Sequence, residues 1–241
     1  MTTEADTLTT PHTIQIFESE LDHLYCLMIE MTQLVMNQLE QTMQALNDGD
    51  MLLAEKVISK DREVKQYEIK IDAEVLMMLA RHCPVANDLR TVISSSKIAV
   101  ELEKIGAEIA DFARLVRILF DPSTSDPNPK LLSDIVKIGN LVKIMLGKLM
   151  MILNKKEAIE AYTLLQYDRD CENELQEGIK HQLSFVVQDG RLIGRALDIM
   201  HIMKSLESCG EHCRNIAEYM IFMIEGIDVR HRSQATTVTL L

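Results

Sequence analysis

DPSTSDPNP, residues 121–129, gathers three of the chain's five prolines into nine positions. Proline lacks the backbone donor and fixes φ, so no long helix runs through such a stretch, and the chain divides there. Upstream, apolar residues recur with helical period over about 86–120. Cys83-Pro84 closes an earlier periodic stretch at about 51–82, because proline disfavours helix in the residue before it. Before that, Ile14, Phe17, Leu21, Leu24, Met28, Met31 and Val35 follow at three- and four-residue steps, in a stretch of about 14–46 ended by NDGD at 47–50. Downstream, periodic stretches cover about 131–153, 156–188 and 191–226, parted by Asn154 and by Asp189-Gly190. A helix of roughly 33 residues is about 50 Å long. The expected fold class is therefore all-α, two tandem three-helix bundles. A flexible 1–13 precedes a first bundle over 14–120, a Pro-rich linker over 121–130 leads to a second over 131–228, and VRHRSQATTVTLL at 229–241 loses the pattern and is expected to be disordered.

An internal repeat supports the division. LEKIG at 102–106 matches LESCG at 206–210 with a shift of 104, and Asp111-Phe112-Ala113 then aligns with Asn215-Ile216-Ala217. KDRE at 60–63 aligns with YDRD at 167–170 at a shift of 107. Two motifs in one order at nearly one shift indicate a duplicated unit.

Composition limits what such bundles can do. Aromatics make up 4% of the 241 residues and tryptophan is absent, whereas apolar residues reach 47%, enough for a packed helical core. A net charge of -12 excludes binding to nucleic acid or anionic lipid by charge alone, so partners are expected to be proteins or cations. The start, MTTEADTLTT, has no basic, apolar signal segment. The longest apolar run, LVKIMLGKLMMIL at 141–153, is 13 residues with two lysines, against the roughly 20 a bilayer span needs. A cytoplasmic protein is expected, touching membrane only through partners. Five cysteines without a repeated CxxC fit reduced thiols. Fifteen methionines fit adaptable core packing.

At about 100° per residue from Glu207, the residues Lys204, Glu211, Asn215 and Glu218 fall on one polar ridge, while Leu206, Cys209, Cys213 and Ala217 lie on the opposite, apolar side. The cysteines are thus expected in the core, and His212 at the boundary between faces. Counted from Glu103, Ala107, Asp111 and Arg114 form the matching ridge, with Ile98, Leu102, Ile105, Ile109 and Val116 toward the core. A solvated face explains such ridges. So does cation or partner binding: Glu207 and Glu211 are one turn apart, the spacing for one hard cation, whereas Glu103 and Asp111 are eight residues and about 12 Å apart. Asp61, Glu68 and Asp168 are expected to be solvated.

PVANDLR at 84–90, VELEKIGAEIAD at 100–111, SLESCGEHCRNIAE at 205–218, FESEL at 17–21, ALNDGDMLLAEKVISKD at 45–61 and the doubled LE-x-x-G resemble the PhoU family of phosphate-regulon regulators, over nearly the whole chain. That resemblance implies two three-helix bundles without catalytic chemistry. It implies an adaptor that restrains phosphate uptake, with a PhoR-like phosphate sensor histidine kinase and the PstB-like ATPase subunit of the Pst transporter as partners, and a homodimer. It also implies iron, zinc or another divalent cation on surface carboxylates. By position the ligands would be Glu103 and Asp111 in the first repeat and Glu207 and Glu211 in the second, with Ala107 standing where the family carries Asp. Asp88 and Arg90 match the family's DLR and are candidate partner-binding residues, although Asp88 also suits the first turn of a helix. Two alternatives stay open. One is a metal-free helical interaction protein. The other is a ferritin-like carboxylate enzyme, which needs two inward Glu-x-x-His pairs where the sequence offers only Glu20 to His23.

Overall fold

A computed structural model describes residues 10–121 and 129–230. Six long helices account for nearly all of them: α1 (Thr10–Asp48), α2 (Met51–His82), α3 (Ala86–Leu119), α4 (Pro129–Lys155), α5 (Ile159–Gln188) and α6 (Ile193–Glu225), with a single 3-10 turn at Gly190–Leu192 before α6. Local chemistry sets each break. Gly49 takes a left-handed φ of 66° and ends α1. Asp50 then caps α2, its Oδ1 accepting from the Leu52 and Leu53 amides at 2.9 Å. Cys83 turns left-handed at the end of α2, just before Pro84, and Val85 is extended where α3 begins at Ala86. Asp189 caps the 3-10 turn by accepting from the Arg191 amide, and Gly226 closes α6 with a φ of 75°. Asn154 does not interrupt α4 as expected: its amide donates to the Met150 carbonyl one turn back, and the turn comes at Lys156, φ 57°.

Within each half, the three helices pack on one another. The halves are joined by α3 on α6 and α1 on α4. The α3 and α6 pair is antiparallel, because Ile105 meets Cys209 while Glu101 meets His212 and Arg90 meets Gly226. The same sense holds for α1 and α4, where Glu40 pairs with Lys143 and the Tyr25 ring lies 4.1 Å beneath the Lys156 ammonium. Ile105 and Cys209 are repeat-equivalent at the shift of 104, so the two halves face each other about an approximate two-fold at that contact. One hydrophobic core runs through both, from Leu24 and Met28 to Ile216 and Met220. Being enclosed on several sides, α3 keeps only a narrow outer face, which carries Lys104, Asp111 and Arg114.

Two terminal expectations meet the structure in part. Helix α1 already begins at Thr10, and residues 1–9 lie outside the described residues. Val229 is buried in the core and Arg230 pairs with Asp228 while stacking over Tyr219, so order continues two residues into the tail expected from 229. The apolar Val229 side chain anchors the chain after α6. Residues 231–241, where the rest of that tail falls, lie outside the described residues, as do linker residues 122–128.

Candidate functional site

The α6 ridge forms as the helical wheel implies, with Glu207, Glu211 and Glu218 on one side of the helix and Lys204 paired to Glu207 one turn away. Its centre is a cation the wheel also places there, at about 20° from Glu207. Arg214 Nε lies 3.3 Å from Asp168 Oδ2 on α5, an ion pair without hydrogen-bond alignment. Its terminal nitrogens lie 3.6 Å from Glu218 and 4.0 Å from Glu211. Asp168 is not solvated as expected but three-quarters covered, its carboxyl pushed up by burial against the pull of Arg214, with Glu211 and Glu207 pushing the same way as burial.

On the α3 ridge, Glu103 faces Lys65 of α2 at 4.0 Å and Asp111 pairs with Arg114 on its own helix. Lys65 also donates to Asp61 Oδ2 at 2.5 Å, and Asp61, expected in solvent, is 14% exposed with Oδ1 buried and without a hydrogen-bond partner. Half-buried Glu68 is raised by burial and then by Glu103 and Asp72. An iron, zinc or other divalent ion needs several carboxylate oxygens turned toward one point. The four expected ligands are each turned toward a protein cation instead: Glu103 to Lys65, Asp111 to Arg114, Glu207 to Lys204 and Glu211 to Arg214. Among the described residues no three His, Cys, Asp or Glu side chains are grouped so as to hold a metal. The residues present do not fit the metal centre that the resemblance implies.

A third cluster lies between the ridges, in the seam of α3 and α6, where the helical wheel had put His212 at the boundary between faces and Asn215 on the outward ridge. Glu101, 6% exposed, accepts from His212 Nδ1 at 2.7 Å, from Asn215 at 3.2 Å and from Lys104 at 2.9 Å. Burial pushes its carboxyl up, but these three donors and the His212 charge outweigh burial and hold it at about 2. The available signal was an acid one residue from core Leu102, on the edge of the apolar face.

The structure separates Asp88 from Arg90. Asp88 is exposed in the first turn of α3 and lines an open groove of about 340 Å³ with Phe17, Leu21, His82 and Val85. Arg90 turns inward, its guanidinium 3.0 Å from where a Gly226 side chain would begin, against the carbonyl end of α6 where a cation is favoured.

A family model described as the PhoU domain matches residues 28–116 and again 135–220, one copy in each three-helix half. The chain belongs to the PhoU family. A PhoU homolog of Pseudomonas aeruginosa, a phosphate-specific transport system accessory protein, is 35% identical over 222 residues, covering 92% of this chain and 90% of the relative. The crystal structure of PhoU from the same organism superposes with a TM-score of 0.83 at 33% identity, over 88% of this chain and all of that one. The phosphate transport system regulatory protein PhoU of Streptococcus pneumoniae gives 0.80 at 25% identity, over 88% of this chain and 99% of that one. PhoU proteins are accessory and regulatory, not enzymes. The ferritin-like alternative also fails on geometry. Glu20 turns to His82 Nε2 at 2.8 Å and to Arg81, while His23 is exposed.

Burial divides the five cysteines into two sets. Cys171, Cys209 and Cys213 are buried together in the second half, Cys171 Sγ lying 3.8 Å from Met145 Sδ. Burial pushes the Cys171 thiol up to about 12 and the other two well above 9, which leaves no reactive thiolate. Cys26 and Cys83 are exposed. Ellman's reagent should therefore count two thiols in the native protein and five in guanidinium; a third fast thiol in the native state would contradict this packing.

Proposed function

We propose that this chain is a negative regulator of the phosphate regulon and of phosphate uptake, a cytoplasmic adaptor between the ATPase subunit of the Pst transporter and the phosphate sensor histidine kinase, working as a homodimer. The carrying observation is the match of both repeats to the PhoU domain, together with relatives aligned over nine-tenths of the chain and named for phosphate-specific transport. The two acidic ridges, with Glu103 and Asp111 on one and Glu207 and Glu211 on the other, and the groove beside Asp88 with Arg90 behind it, are the contact surfaces. A net charge of -12 favours basic patches on those partners and disfavours nucleic acid. None of the described helices is long and apolar enough to cross a membrane, so the membrane is reached through the transporter.

Deletion of the gene should leave phosphate-starvation genes expressed in phosphate-rich medium, and the wild-type chain should restore repression. Glu207→Lys/Glu211→Lys, which reverses one ridge, should fold yet fail to restore it and should not co-purify the ATPase subunit or the kinase. Normal repression in the deletion strain would overturn the adaptor reading. Full complementation by the reversed ridge would remove that ridge from the contact surface.

A further inference from the structure

We infer that Arg214 is the resident cation of the α6 ridge, a charge supplied by the protein that closes Asp168, Glu211 and Glu218 to a divalent metal ion and ties α5 to α6. The inference stands apart from the proposed adaptor role. Its ground is the placement of one guanidinium among three carboxylates from two helices, at 3.3, 3.6 and 4.0 Å. A guanidinium does not lose its proton, so the site stays filled at every physiological pH and whatever the metal supply.

The other half of the molecule gives an independent comparison. Asp61 is the repeat-equivalent of Asp168 at the shift of 107, and it too is bridged to a carboxylate of the next helix by a fixed cation, Lys65 between Asp61 and Glu103. The cations themselves are not equivalent. The position matching Arg214 at the shift of 104 is Ala110, buried in the core, and the position matching Lys65 at 107 is Glu172. Each half thus keeps the acid on its second helix but supplies the neutralising charge from a different helix. What the two sites share is a requirement for positive charge, met here by side chains. In the second half, loss of the Arg214 charge leaves Asp168, Glu211 and Glu218 without their shared cation, with Lys204 held on Glu207; these hard oxygen donors do not converge on one point as they stand, so an octahedral dication is held only by drawing them together.

The test is titration of the full-length protein with Mn²⁺ by calorimetry. Wild type should bind no Mn²⁺ below millimolar concentration. Arg214→Met, which keeps the length of the side chain and removes its charge, should gain one Mn²⁺ per chain with at least tenfold higher affinity and a Mn²⁺-dependent rise in Tm, and Glu211→Gln in that background should abolish both. Arg214→Lys should stay closed. Stoichiometric micromolar binding of Mn²⁺, Fe²⁺ or Zn²⁺ by wild type, lost in Glu207→Gln/Glu211→Gln, would overturn the inference without recourse to any arginine variant. A folded Arg214→Met, or Arg214→Gln if the methionine variant is unstable, that binds no more tightly than wild type would overturn it equally.

Discussion

Glu101→Ala is expected to lower the free energy of unfolding by about 3–5 kcal/mol, the cost of removing one partner from a buried ion pair. The Glu101 side chain is 8% exposed, and its loss leaves the His212 imidazole and the Asn215 amide facing an emptied acceptor position in the seam of the two repeats. His212→Ala should cost less, about 1.5–3 kcal/mol, because Glu101 keeps Lys104 and Asn215 as donors. Glu101→Met combined with His212→Leu should recover part of the loss, since the imidazole is no longer stranded and only the Asn215 amide still lacks its acceptor. Urea unfolding followed by far-UV circular dichroism at constant m value separates these cases. A loss below about 1 kcal/mol for Glu101→Ala would mean that water reaches the seam and solvates the orphaned donors.

The same carboxyl predicts an acid limb. Its folded value of about 2 lies below the ordinary 4.5, so the unfolded chain takes up the proton first as pH falls. Its contribution is complete above about 4.5 and declines as pH drops toward 2; the depression corresponds to about 3 kcal/mol. Glu101→Gln carries no such proton, and its stability should fall less steeply over that window than that of wild type.

Why the seam escaped the sequence while the fold did not is a matter of range. Helix ends are written in neighbouring residues: Asp50 meets its amides two and three positions on, and Pro84 acts on Cys83. The repeat at a shift of 104 similarly exposes the duplication without any contact being known. A helical wheel shows which residues share a face but not what that face meets. Glu101 and His212 are 111 residues apart, on helices of different repeats, and only the antiparallel docking of α3 on α6 brings them together. The ridges were visible for the opposite reason, since their residues follow one another along one helix. Their neutralisation was half visible. Arg214 sits on the ridge by its own sequence position, but its ion pair with Asp168 requires α5 alongside α6.

Gly106→Leu should be the second large loss, about 3 kcal/mol or more, and it explains the glycine of the doubled LE-x-x-G. A Cβ at Gly106 would begin 3.1 Å from Val64 Cγ1 and 3.3 Å from Cγ2, where α3 packs on α2. Alanine there gains about 1 kcal/mol of helix propensity over glycine and needs only a small adjustment, so Gly106→Ala should stay within about 1 kcal/mol of wild type. Leucine adds three carbons with no space to enter, and Val64 is stiff at χ1, so the helices themselves must part. Gly210 is the repeat-equivalent glycine, but its Cβ would meet Cys171 Sγ at 3.2 Å and Met145 Sδ at 3.7 Å. Unbranched sulfur-containing side chains rearrange more readily. Gly210→Leu should therefore cost measurably less than Gly106→Leu, although the sequence motif is the same. Thermal unfolding resolves the difference: at this chain length about 3 kcal/mol lowers Tm by roughly 6–12 °C. Equal losses at the two glycines would mean that backbone separation, not the rigidity of the facing side chain, limits both contacts.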